Sequence, residues 1–215
     1  MRESACEPRI AGAHPTMTKR EVNMTSIYFV RHCQPDHSVH DDRTRPLSKE
    51  GAEDSFAVME FFKNKKIDIF YSSPYKRSYD TVLHAAEYHK KQIITDERLH
   101  ERKAGINANN FEMFKKRWSD LNFAEEGGES IGAVQKRNIE AVFEILDKNK
   151  DKTIVIGTHG TALSSILNYF DSAFGCDDFL RIIDFMPYII CLDFDSRKLV
   201  SKTEEMYIHK EFKKA

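Results

Sequence analysis

This 215-residue chain has four cysteines, one tryptophan and almost no net charge. Cys6, Cys33, Cys176 and Cys191 show no pairwise spacing suited to a disulfide or a metal clasp. That pattern argues against a stapled secreted scaffold and fits a reducing, cytoplasmic compartment. Lys and Arg number 33 against 34 Asp and Glu, a net charge of −1. Such balance gives no basic surface for nucleic acid or for an anionic membrane. No apolar run approaches the length of a transmembrane helix. Residues 1–24 mix Arg, Glu, Pro, Gly and His without periodicity, and they lack the apolar core of a signal peptide. They are expected to be a disordered extension or an added segment, upstream of a possible start at Met17 or Met24. Residues 25–215 are expected to form one domain, long enough for a sizeable core. There is no internal repeat and no low-complexity tract.

What is present is a set of short β-branched and aromatic runs that end in reactive side chains. Ile27-Tyr28-Phe29-Val30 reads as a strand covered on both faces. It runs into Arg31-His32-Cys33-Gln34-Pro35. Thr153 to Thr158 is a second such strand, followed by His159 and Gly160, where a helix begins. Ile67 to Tyr71 is a third. After it Ser73 is a suitable N-cap and Pro74 a suitable first helical residue, so Arg77 falls in or just after the first turn. A shorter strand, Gln92 to Thr95, leads to Leu99-His100-Glu101-Arg102.

Helices are expected from Ser48 with Ala52, Phe56, Met59 and Phe62 on the buried face, from Pro74 to about Lys90, and near Asn110 to Leu121. Others are expected from about Ser130 to Lys148, from Gly160 to about Phe170, and near Asp177 to Ile183. Tyr188 to Phe194 and Leu199 to Ile208 read as a hairpin. Strands alternating with helices predict a three-layer α/β/α sandwich with a mostly parallel central sheet. Ligands of open α/β sheets bind beyond the carboxyl ends of strands. His32, Arg77, Glu101 and His159 all lie just past such ends.

The motifs resemble those of the histidine phosphatase superfamily, on the branch containing the cofactor-dependent phosphoglycerate mutases. The matching pieces are Arg31-His32, Leu47-Ser48-Lys49-Glu50-Gly51, Ser72-Ser73-Pro74 with Arg77, Leu99-x-Glu101-Arg102-x-x-Gly105, Gly128-Glu129-Ser130 and Thr158-His159-Gly160. They occur in the family's order from about Ser26 onward. The resemblance implies a phosphoglycerate mutase-like fold and a phosphatase acting on small-molecule phosphate esters. His32 is then the nucleophile, Glu101 the proton donor and His159 a second imidazole at the transferred group. Arg31, Arg77, His159 and Gly160 hold the phosphate, and no metal or cofactor is needed. Cys33 departs from the pattern, since the family usually has Gly or Ala there.

Other readings of these residues are weighed against this one. Glu97 competes with Glu101 but fits a solvated turn. Arg102 suits either support of the site or a plain salt bridge. Asp36, His37, His40, Asp41 and Asp42 lack regular metal-ligand spacing and suit a loop over the pocket mouth. Phe111, Phe114, Trp118 and Leu121 form a helical stripe that turns Lys115, Lys116 and Arg117 toward water. Cys33 is read as a small apolar filler, with a redox switch as the alternative. A mutase and a non-catalytic phosphate-binding protein are the rival functions. A dinucleotide binder is disfavoured, because Arg-His-Cys-Gln-Pro lacks the required glycines.

Overall fold

The computed structural model describes residues 24–106 and 110–210. Apart from Met24, the expected extension over residues 1–24 lies outside the described residues. Among these the order is β1 (Thr25–Arg31), α1 (Lys49–Phe62), β2 (Ile69–Ser72), α2 (Lys76–Tyr88), β3 (Ile93–Thr95), α3 (Phe111–Ser119), α4 (Ile131–Lys148), β4 (Thr153–Thr158), α5 (Gly160–Phe170), α6 (Cys176–Ile182), β5 (Phe185–Asp195) and β6 (Lys198–His209). A single 3-10 turn spans Glu97–Leu99.

One six-stranded sheet runs β3-β2-β4-β1-β5-β6. The β3-β2, β2-β4 and β4-β1 pairs are parallel, while β5 is antiparallel to both β1 and β6. Period-two alternation sends side chains to two separate cores. Ile27 and Phe29 of β1, level with Ile154 and Ile156 of β4, pack with Val142 and Ile145 of α4 and Leu163 and Ile166 of α5. Val30 and Val155 point the other way, onto Val58 and Phe62 of α1 and Val82 and Ala85 of α2. This is the expected three-layer α/β/α sandwich. Each fully buried side chain of this kind contributes about 1.5–3 kcal/mol of transfer free energy.

Three helices start at side-chain caps. Ser48 Oγ accepts from Gly51 N, Asn110 Oδ1 from Met113 N and Ser130 Oγ from Ala133 N.

The predicted buried face of α1 is one residue out of phase. The buried positions are Gly51, Ser55, Val58 and Phe62, whereas Phe56 is 51 % exposed. Gly51 decides the rotation, because a Cβ there would lie 2.1 Å from the Gln34 carbonyl oxygen. Phe56 instead stacks on His84 of α2, with ring centroids 4.2 Å apart.

The start of α2 also differs from expectation. The helix begins at Lys76 behind Tyr75, two residues beyond Pro74. The stripe on α3 is corrected as well. Arg117 is buried and paired with Glu125, while Phe111 is exposed. The buried Glu125 between Arg117 and Arg102 draws the arginine inward, since a buried carboxylate needs a cation beside it.

Candidate active site

Strands β2, β4 and β1 are neighbours at the centre of the sheet. Their carboxyl ends therefore bring three loops together. His32 follows β1, His159 follows β4, and Arg77 is the second residue of α2 after β2. The His32 and His159 rings meet edge to face with centroids 5.3 Å apart. Glu101 arrives from the edge, through β3 and the 3-10 turn.

His32 Nδ1 lies 2.7 Å from the Cys33 carbonyl oxygen. A carbonyl only accepts, so Nδ1 carries the proton and Nε2 keeps a lone pair. Nε2 accepts from Arg77 Nε at 3.2 Å. Burial holds the His32 imidazolium well out of reach at neutral pH, with Arg77 and Arg31 adding to the effect. The second arm of Arg77 is held by the loop before α1. Its Nη1 donates to the Asp42 carbonyl oxygen at 2.5 Å and lies 3.2 Å from the Asp42 carboxylate.

Arg31 is buried and donates through Nη1 to the carbonyls of Ile182, at 2.7 Å, and Phe185, at 3.2 Å. Its Nε is buried with no partner among the described residues. Burial lowers the Arg31 pKa to about 10, against the opposing pull of Glu101 and Asp184. Gly160 admits this guanidinium. A Cβ there would sit 3.3 Å from three of its atoms.

His159 is fully buried, and its Nε2 lies 2.7 Å from Ser73 Oγ. Burial, then Arg77 and His32, depress its pKa well below the ordinary value. Tyr75 walls the pocket, edge-on to His159 at 5.3 Å and stacked on His100 at 5.7 Å.

The Glu101 carboxylate sits at the start of α5. Oε1 accepts from Ala162 N at 3.1 Å and from Arg102 N at 2.7 Å, and Oε2 accepts from Thr161 N at 3.0 Å. The first N–H groups of a helix have no partner within it and attract an anion. The loop that carries Glu101 is held by Arg137 of α4. Arg137 donates to the carbonyls of Arg98, His100 and Glu101 and pairs with Glu129.

His32, Arg31, Arg77, His159, Gly160 and Glu101 thus come together. Glu97 stays outside and exposed, paired with Arg43 at 2.5 Å. Arg102 pairs with Glu125. In the loop, Asp36 is bound by Ser38, Asp41 by Thr44, and Asp42 by Arg45 and Arg77. Cys33 is fully buried, its N–H donates to Thr81 Oγ1, and its backbone avoids the left-handed region. Burial pushes its thiol up to about 12, which favours the apolar-filler reading.

Sequence alone does not assign three residues their roles at the site: it reads Ser73 as a helix cap, Arg137 as part of a helix and Asp42 as part of a loop. Glu129 precedes the cap of α4, so no helical spacing links it to Arg137. Nothing local marks any of the three.

A neutral imidazole whose lone pair faces an arginine, two buried arginines, a second imidazole and a carboxylate make up the chemistry assembled here. That set can transfer a phosphoryl group. Residues 27–198 match the family model described as histidine phosphatase superfamily (branch 1). The sequence is 28% identical to phosphoglycerate mutase-like protein 4 of Arabidopsis thaliana over 164 residues, 68% of this chain and 71% of that one. It is 27% identical to phosphoserine phosphatase 1 of Hydrogenobacter thermophilus over 150 residues, 61% of this chain and 71% of that one. The fold resembles the mycobacterial glucosyl-3-phosphoglycerate phosphatase, with a TM-score of 0.68, 18% identity and coverage of 87% of this chain and 100% of the other.

Proposed function

The chain belongs to the histidine phosphatase superfamily (branch 1), and on that footing we propose that it hydrolyses small-molecule phosphate monoesters through a phosphohistidine on His32. The observation that carries the reading is the pair of contacts on His32. Nδ1 is committed to the Cys33 carbonyl, and Nε2 faces the Arg77 guanidinium. The lone pair that must attack phosphorus is thereby held beside the cation that must hold the phosphate.

In the first step Nε2 forms a bond to phosphorus in line with the ester oxygen, and the P–O bond breaks. Arg31, Arg77 and His159 share the charge on the equatorial oxygens. Glu101, arriving protonated, gives its proton to the departing alkoxide. In the second step a water attacks phosphorus and passes its proton to the Glu101 carboxylate. The P–N bond breaks, the electron pair returns to Nε2, and phosphate leaves. The contacts on Glu101 support the second role directly, since all three are from donors. For the first role it must give up some of the α5 N–H groups, which are then available to the phosphoryl oxygens. Two arginines supply the positive charge, and a neutral imidazole adds a hydrogen bond, without a metal ion.

The surroundings favour water over a sugar acid as the acceptor. In the described part of 105–128 the cations are Lys115 and Lys116, both exposed, and Arg117, paired with Glu125. None of these is set to hold a substrate carboxylate. Free thiols at Cys33, Cys176 and Cys191 support a cytoplasmic setting.

The test is a phosphate-release screen over phosphorylated metabolites, beginning with phosphoserine and phosphoglycerates after the relatives' names. It is joined to trapping of labelled enzyme in base, where phosphohistidine survives. Phosphate release together with label lost in His32→Ala is expected. Conversion of 3-phosphoglycerate to its 2-isomer faster than phosphate release, and only after priming, would replace hydrolysis with the mutase reaction.

A further inference from the structure

Ser73 is fully buried at the end of β2, and its hydroxyl has two neighbours among the described residues. It accepts from Tyr75 N at 3.2 Å and lies 2.7 Å from His159 Nε2. A hydroxyl has one hydrogen to give. The Tyr75 N–H cannot receive it, so the one acceptor in reach is His159 Nε2. His159 Nδ1, the other ring nitrogen, is buried with no partner among the described residues.

Two tautomers are possible, and they differ in what they leave unsatisfied. If Nε2 carries the proton, it donates to Ser73 Oγ. The Ser73 hydrogen then has no acceptor, and the Nδ1 lone pair has no donor. If Nδ1 carries the proton, Ser73 donates to Nε2 and is satisfied through both its roles. The single group left over is then the Nδ1–H, a donor at an anion-binding pocket. Unsatisfied buried polar groups are costly, so the second arrangement is favoured.

We propose that Ser73 is a positioning residue that sets the tautomer of His159, so that the neutral ring presents an Nδ1–H to the transferred phosphoryl group. The proposal rests on the phosphoryl-transfer reading above for its purpose, although the tautomer itself does not depend on turnover. The neutral ring acts here as a hydrogen-bond donor rather than as a cation, which agrees with its complete burial beside Arg77.

The experiment is long-range proton–nitrogen NMR on protein with labelled histidine, at a pH where the ring is neutral. The His159 signals are assigned by their loss in His159→Gln. The wild type should show the proton on Nδ1 and a bare Nε2. Ser73→Ala should move the proton toward Nε2 or mix the two forms, and should lower kcat by about 10- to 100-fold on an aryl phosphate. Ser73→Thr keeps the hydroxyl and should restore both tautomer and rate. A wild-type proton on Nε2, or a tautomer unchanged in Ser73→Ala, overturns the proposal. Because the wild-type spectrum alone decides the first point, failure of a variant to fold leaves the test intact. Loss of the phosphatase reading would show separately, as absence of label on His32.

Discussion

Arg77 Nε donates to His32 Nε2 at 3.2 Å while Arg77 Nη1 rests on Asp42. One guanidinium therefore covers the nucleophile's lone pair and is itself held by an acidic loop residue. A phosphate ester must win both contacts. Asp42 is half exposed, so its ion pair is worth about 0.5–1 kcal/mol. Asp42→Asn should tighten vanadate inhibition about two- to five-fold and leave kcat nearly unchanged. An inhibition constant equal to the wild type would mean that Asp42 does not compete for Arg77. Arg77→Lys loses the fork and should cost about 10²- to 10³-fold in kcat/KM.

Glu101 and Arg137 should share a kinetic signature. A general acid matters most for a poor leaving group. Glu101→Gln should slow an alkyl phosphate strongly and an activated aryl phosphate much less. Arg137 touches no reacting atom, but it fixes the carbonyls of His100 and Glu101. Arg137→Met should show the same preference in weaker form, about 10-fold on the alkyl ester. Equal losses on both esters would assign Arg137 to the fold alone.

The two buried histidines make stability pH-dependent. Both have folded pKa values well below the usual 6.5. The unfolded chain then binds protons that the folded protein refuses. Their contribution is complete above about pH 6.5 and is lost progressively as pH falls below it, toward the depressed folded values. Urea titrations between pH 7.5 and 5 should show stability falling by about 1.4 kcal/mol per unit for each histidine. His159→Gln should remove about half of that slope. A flat profile down to pH 5 would show that these rings are not held neutral.

Cys33 should be inert in the native protein. It is fully buried, with its thiol pushed up to about 12. Mild peroxide should inactivate wild type and Cys33→Ala at equal rates, and among the cysteines of the described residues native-state thiol labelling should reach Cys176 first. A sulfenic acid trapped at Cys33 in folded protein would contradict this.

The order of strands and helices could be read from sequence because it rests on local periodicity. Thr153 to Thr158 came out with the observed bounds, and Ser130 and Ser48 marked helix starts through their own capping hydroxyls. The carboxyl ends of strands located His32, Arg77 and His159. Glu101 was separable from Glu97 only through the surrounding motif. Where the reading went astray, a contact distant in sequence had overruled local pattern. Gly51 turned α1 by one residue through its approach to Gln34. Glu125 pulled Arg117 inward, although the apolar stripe of α3 turns that position toward water.

Local pattern along the chain suffices for the alternation of elements, the placing of reactive side chains just beyond strand ends, and the family. Periodicity, caps and short motifs are all properties of neighbouring residues. Which atoms face one another emerges with packing: Nδ1 of His32 on a carbonyl, Asp42 on Arg77, Arg137 under Glu101, Ser73 on His159. Those pairs join residues as many as 86 positions apart. Hydrogen-bond direction, burial and protonation depend on distances of a few ångströms between such residues, and these exist only once the sheet has brought the loops together.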